Sequence, residues 1–334
     1  MLIGLSCDLK INIAPEQDSP EDFLEEYDST ETADIIAGTL EAKGHSVVML
    51  GGGSRFLDNI RREKVDIVFN ISEGRGNYRS REAQVPSILE MLSIPYTGSD
   101  PLCLALCLDK LLTKKLVAVE GVNTPGCQIL NREDELLELP WDGLSFPVIL
   151  KPAFEGSSKG IRSTSVAHSV SQAQEAAVKM LKSYKQPIMV EEFIDGDEIT
   201  VGLIGNSPPV VIGIMGVVPK NKVEHFVYSL EVKRDYLNMV DYECPANLPP
   251  GIMGGISDAS LKVFKSLGCR DFARIDFRVS SDGTPYFIEI NPLPGLGTYS
   301  DLVIMAKMMG WTHRELIFAV LTAALKRNSL CQGV

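Results

Sequence analysis

Apolar residues fall in short runs through the first hundred positions, separated by stretches with a helical repeat. Leu2–Ser6 is apolar enough for a buried strand. Ala33, Ile36, Ala37 and Leu40 then recur at helical spacing, with Asp28 and Glu31 as a capping box before them and Gly44 as the stop. Ser46–Leu50 and Asp66–Asn70 are again rich in strand formers. Strand, helix and strand in alternation predict a parallel sheet covered by helices. Residues 11–28 interrupt the alternation with Glu16, Asp18, Glu21, Asp22, Glu25, Glu26 and Asp28 and no basic residue. That segment reads either as a solvated acidic loop or as a lid that offers a carboxylate to an amine.

Past Pro101 a helix is predicted through Asp109-Lys110, followed by a strand over 146–151, a helix over Ser171–Ser183 and a strand over 187–193. The last third is antiparallel in character. Phe272–Val279 and Thr284–Ile290 flank Ser281-Asp282-Gly283, a hairpin signal, and a helix over Thr312–Lys326 follows.

Composition narrows the class. With 334 residues the chain has room for two or three domains, and 45% apolar with 23% charged residues excludes collagen, disorder and small disulfide scaffolds. A net charge of -12 makes it a poor general nucleic-acid binder. No apolar run approaches the roughly 18 residues of a membrane helix. Met1–Ser6 lacks the basic residues of a signal peptide and reads as a first strand. Seven cysteines are scattered, and no histidine lies near Cys103 and Cys107, so buried free thiols are expected rather than zinc. Free thiols point to a reducing compartment, the cytoplasm.

The hairpin carries the most chemistry. If Asp282-Gly283 is a two-residue turn, Asp276 faces Glu289 and Arg274 faces Asn291, all on one face. Ala273, Ile275, Phe277, Ile288 and Ile290 take the other, core-facing side. Opposed carboxylates cost about 0.2–1 kcal/mol, and a cation between them would remove that cost. Asp, Glu and Asn oxygens suit Mg²⁺; the competing reading is a solvated face neutralised by Arg274. Upstream, Lys151–Gly160 follows a strand and carries Gly156, Ser157, Ser158 and Gly160, a backbone that could cradle an anion. Its spacing is neither a Walker A loop nor a dinucleotide fingerprint. Lys110 and Lys151 could each reach a phosphate, or be surface charges. Glu191-Glu192-Phe193-Ile194, with Glu198 beyond, could read an adenine edge and a ribose.

Taken in order, these signals resemble the D-alanine–D-alanine ligase family of ATP-grasp enzymes. The motifs are Val68-Phe69-Asn70, Ile94–Ser99 with Leu108-Asp109-Lys110, Phe146–Gly160, Glu191–Glu198, Arg274-Ile275-Asp276 and Glu289–Gly295. The likeness is clear over about 65–325 and loose over 1–64. It implies an α/β (α+β) ATP-grasp fold with an N-terminal Rossmann-like domain over 1–105, a central subdomain over 106–190 and a C-terminal catalytic subdomain over 191–334. It implies that Lys110, Lys151, Ser157 and Ser158 bind ATP phosphates. Glu191, Glu192 and Ile194 would take the adenine, and Glu198 the ribose. Asp276, Glu289 and Asn291 would ligate two Mg²⁺, with Mn²⁺ as a substitute. Arg274 and the backbone at Gly295 would stabilise a tetrahedral intermediate, Ser300 would touch the attacking amino acid, and Glu25 would hold the first substrate's amine.

The resemblance implies ATP-dependent amide formation through an acyl phosphate, in a cytoplasmic homodimer whose partners are ATP and small carboxylate or amino-acid substrates, with no nucleic acid and no membrane. Four departures touch substrate recognition. The acidic segment replaces a glycine-rich loop, Ser72-Glu73 replaces a histidine, Lys233-Arg234 replaces Lys-Tyr, and Tyr299-Ser300-Asp301 replaces His-Ser-Leu. Segment 221–245 is expected to close over the site. Arg79, Arg81 and Arg234 near one pocket would suit a larger or more acidic donor than alanine. The plainer reading pairs Arg79 and Arg81 with Glu73 and Glu82. Remaining alternatives are an authentic D-alanine–D-alanine ligase of cell-wall synthesis, a kinase-like member and a non-catalytic nucleotide binder.

Overall fold

The computed structural model describes residues 1–15 and 17–330. Its elements run β1 (Leu2–Cys7), α1 (Thr30–Glu41), β2 (Ser46–Met49), α2 (Gly53–Arg62), β3 (Ile67–Ile71), α3 (Gln84–Met91), α4 (Pro101–Leu108) and α5 (Lys110–Val119). There follow β4 (Cys127–Leu130), β5 (Val148–Pro152), β6 (Val166–Ala167), α6 (Val170–Tyr184), β7 (Ile188–Glu192), β8 (Gly196–Ile204) and β9 (Val210–Pro219). The last are α7 (Leu230–Arg234), α8 (Tyr236–Met239), β10 (Val240–Glu243), α9 (Pro250–Ser266), β11 (Phe272–Ser280), β12 (Pro285–Asn291), α10 (Asp301–Met308) and α11 (His313–Arg327).

Three sheets form among the described residues. The first is parallel, in the order β2-β1-β3, as the alternating pattern predicts. The second, β4-β7-β5-β6, and the third, β10-β9-β8-β11-β12, are antiparallel. The core of the first sheet is shared with the far end of the chain. Ile3, Leu5 and Phe69 pack in one buried cluster with Val303, Leu316 and Leu321 of α10 and α11.

Local chemistry moved several expected boundaries. Ser29, not Asp28, caps α1; its hydroxyl accepts from Thr32 N at 3.2 Å. The helix expected to run through Asp109 breaks there. Asp109 is extended, and its carboxylate accepts from Leu112 N at 3.1 Å to start α5. The break makes Lys110 the first residue of a new helix.

The hairpin turn is longer than expected. Ser280 N donates to Thr284 O at 3.0 Å and Gly283 has φ +84, so the loop has three residues, not two. A bulge between Asp276 and Phe277 compensates: Phe277 pairs with Phe287, while Asp276 still pairs with Glu289 and Arg274 with Asn291. The expected pairing of the polar residues therefore holds for a reason not foreseen. The bulge also corrects Ile288, which turns out of the core toward a cleft, while Phe287 takes the buried place.

Candidate active site

Two cavities meet on the polar face of that hairpin. The first lies between the two antiparallel sheets and is walled by Lys151, Ser158, Glu191, Glu192, Ile194, Glu198, Asp276, Ile288 and Glu289. It has about 70 Å³ of free space, room for a few waters. The second, of about 610 Å³, is walled by Glu25, Glu73, Ser157, Arg234, Arg274, Asn291, Gly295, Ser300 and Asp301. Lys233 and Tyr228 line both. One face of β11–β12 thus delivers Asp276 and Glu289 to one cavity and Arg274 and Asn291 to the other.

In the first cavity Glu191 is the hub. Its carboxylate receives Lys151 Nζ at 2.6 Å and Lys114 Nζ at 2.8 Å, and all three side chains are at most 3% exposed. Burial opposes its ionisation, but the two ammonium groups outweigh that and hold its carboxyl below the usual range. Burial likewise works against the charge of Lys151, and Glu191 with Glu289 reverses the effect and raises its pKa. Of the two lysines, Lys151 lines the cleft, and its ammonium is held charged there, which suits a phosphate chain. Lys114 was missed by the sequence reading; no spacing signal marks a lysine one turn past Lys110 as buried. Lys110 Nζ stands 3.1 Å from Glu289 and donates to Glu155 O. Glu192 accepts from Gly126 N and Ser145 N, and Glu198 accepts from Arg278 at 2.8 Å.

At the junction, Arg274 Nη2 donates to Asp276 at 2.8 Å and lies 3.8 Å from Glu289; Nη1 reaches Asp301 at 3.3 Å. Thr200 Oγ1 donates to Asp276 at 2.8 Å. Burial raises the Asp276 pKa, with Glu289 adding to it against Arg274. Burial also works on Glu289, but Lys110, Arg274, Lys151 and Lys233 hold its carboxyl far below the ordinary range. The Asn291 carboxamide oxygen accepts from Leu293 N at 3.0 Å and keeps a second lone pair. Two carboxylates and a carboxamide on one face are a hard-oxygen set that fits Mg²⁺.

The anion loop is held in an uncommon conformation. Ser157 and Ser158 have φ of 52 and 58, left-handed values unusual for residues with a Cβ. A Cβ on Gly160, at φ +75, would meet Pro152 at 2.5 Å. Contacts from the acidic segment over-determine the loop. Gly160 N donates to Asp22 at 2.8 Å, and Lys159 Nζ reaches Glu26 at 3.1 Å and Glu155 at 2.7 Å. Asp22 and Glu26 are buried, so the segment is not a solvated loop; it is a strap that packs against the anion loop and brings Glu25 to the wall of the second cavity. Glu16 lies outside the described residues.

Two predicted substrate arginines do not reach a cavity. Arg81 is 1% exposed and is bound by Glu26 at 2.6 Å, Glu155 at 3.0 Å and Phe154 O at 2.6 Å. Arg79 points to the surface, 3.5 Å from Asp109. Neither pairs with Glu73 or Glu82. Of the three, Arg234 alone lines the second cavity, and it is tied to Glu25 at 2.6 Å and Glu21 at 3.0 Å. The case for an acidic donor built on three arginines therefore falls. Segment 221–245 is not a bare loop: it contains α7 and α8 and the edge strand β10.

The fold has close counterparts. The D-alanine–D-alanine ligase of Bacillus anthracis, solved in complex with ATP, matches with a TM-score of 0.74 over 99% of each chain at 22% identity. The architecture is that of an ATP-grasp enzyme. A family model described as "D-ala D-ala ligase C-terminus" matches residues 118–322. The D-alanine–D-alanine ligase of Aquifex aeolicus is 34% identical over 300 residues, 88% of this chain and 94% of that one. A protein of Sinorhizobium fredii named y4sG and described as uncharacterized is 35% identical over 306 residues, 88% of each chain. The chain belongs to the D-alanine–D-alanine ligase family of ATP-dependent ligases.

Proposed function

We propose that the chain joins a small carboxylate donor to an amino acid through an acyl phosphate, with ATP bound in the first cavity and both acids in the second. The observation that carries this is the shared hairpin face, which joins a lysine-floored cleft to a second cavity through Asp276, Glu289, Arg274 and Asn291. Lys110 and Lys151 hold the phosphates, Glu191 and the backbone of 192–194 the adenine, and Glu198 the ribose. The donor carboxylate attacks the γ-phosphorus and ADP leaves; the amine then attacks the acyl carbon and phosphate leaves. Asp276, Glu289 and Asn291 would hold two Mg²⁺, or Mn²⁺, which supply charge neutralisation for phosphoryl transfer. Arg274 stabilises the oxyanion with the backbone at Gly295, Ser157 supports the donor, and Ser300 orients the amine. Segment 221–245 excludes water from the acyl phosphate.

D-alanine on both sides is the first pair to test, since the relatives' names point there. The changed lining, with Glu73, Arg234 and Asp301 at the second cavity, supports a different preference in at least one subsite. A cytoplasmic homodimer is the setting we infer from the resemblance, and sedimentation tests the assembly. The deciding measurement is ADP release over paired amino acids. Release that requires an amine supports the ligase; phosphorylated product without an amine would make it a kinase.

A further inference from the structure

We propose that Cys103, Cys107 and Cys269 form a three-thiolate site for a soft trivalent ion, with arsenic(III) as the representative. The site stands apart from both cavities and does not depend on the proposed reaction.

Cys103 and Cys107 stand one turn apart on α4 and so share a face. Cys269 comes from the turn between α9 and β11, 166 positions away from Cys103. Cys103 Sγ lies 3.9 Å from Cys107 Sγ and 3.6 Å from Cys269 Sγ, and all three sulfurs are within 4.8 Å of one another. A three-coordinate ion with bonds of about 2.3 Å to sulfur separates its ligands by roughly 3.4–4.0 Å, from pyramidal to planar. The separations of Cys103 from Cys107 and from Cys269 both fall in that range. Folding has thus already assembled the ligands.

Two features select the ion. Sulfur alone selects soft ions over Mg²⁺. No further His, Cys, Asp or Glu joins the group among the described residues, so a tetrahedral ion such as zinc would lack its fourth protein ligand. Charge decides the rest. The thiols are 1%, 4% and 7% exposed and belong to the same apolar cluster as Ala273 and Ile275. Three thiolates on a monovalent or divalent ion leave net negative charge in that core, which is costly. Three thiolates on a trivalent ion are neutral. Arsenite supplies the ion without redox change: each thiol proton leaves with one arsenite hydroxide as water, and three arsenic–sulfur bonds form. Closure would tie α4, which leads into Asp109 and Lys110, to the turn ahead of β11.

The test uses the reduced full-length chain with sodium arsenite. The expected result is one arsenic per chain by native mass spectrometry, with three of the seven thiols protected from alkylation. Peptide mapping should assign the protection to Cys103, Cys107 and Cys269. C103S, C107S and C269S should each weaken binding by about tenfold or more, and C127S should not. Mapping on the wild-type chain needs no variant to fold. Protection of other cysteines, no retained arsenic, or zinc(II) protecting the same three thiols as tightly would each overturn the proposal.

Discussion

Arg234 on α7 donates to Glu25 of the acidic strap through Nε at 3.0 Å and Nη2 at 2.6 Å, across 209 positions of sequence. The arginine expected to hold a substrate acid and the glutamate expected to hold a substrate amine are each other's partners. The pair latches segment 221–245 against the strap over the second cavity. The first cavity has only about 70 Å³ free, so its walls, Tyr228 and Lys233 of the same segment among them, must move apart to admit a nucleotide.

The latch is partly exposed and therefore worth about 1 kcal/mol or less. Arg234→Ala should speed proteolysis within 221–245 by up to about fivefold when nucleotide is absent. An ATP analogue with Mg²⁺ should protect both proteins. Equal cleavage of wild type with and without nucleotide would rule out a closing lid.

Asp276→Asn should cut ADP formation by about a hundredfold or more and leave the fold intact. The carboxamide loses one of the two bonds from Arg274, which keeps Asp301, but it still meets Thr200. Burial no longer opposes a charge there, and the repulsion with Glu289 is gone. Melting without Mg²⁺ should stay level or rise. Full Mg²⁺-dependent turnover in this variant would remove Asp276 from the metal set.

Arg81→Met tests a structural role against a substrate role. It strips Glu26 and Glu155 of a buried guanidinium, a loss of about 3–5 kcal/mol, which Lys159 offsets in part. Denaturant unfolding should show the loss. A variant of unchanged stability and raised KM would restore Arg81 to substrate binding.

Burial, with Asp8 nearby, pushes the Asp28 carboxyl up to about 7 against the pull of Lys10. Between about pH 4 and 7 the unfolded chain has lost that proton while the folded chain keeps it. Stability therefore falls as pH rises through that window and levels off above it. Asp28→Asn should gain about 1–4 kcal/mol at pH 8 and almost nothing at pH 4. An equal change at both pH values would contradict the assignment.

Periodicity and turn chemistry were enough to read the parallel sheet of the first hundred residues, the helices near 170–184 and 313–327, and the hairpin. These depend on neighbours a few positions apart, where side-chain direction follows from backbone geometry alone. The same locality made Asp276 face Glu289 legible, although a longer turn and a bulge cancelled to produce that pairing. Charge partners were not legible. Arg81 meets Glu26 and Glu155, Lys114 meets Glu191, and Asp22 meets Gly160 N, at separations from 55 to 138 positions that composition does not encode. The sequence by itself determined the fold class, the order of the motifs and the hard-oxygen set on one strand pair. Only the tertiary structure decided which charges are buried together, because a buried ion must find its counter-charge in space, from whatever segment packing brings within a few ångströms. That requirement turned an acidic segment into a strap and paired Arg81 with Glu26 and Glu155, while apolar packing set Cys269 beside Cys103 and Cys107.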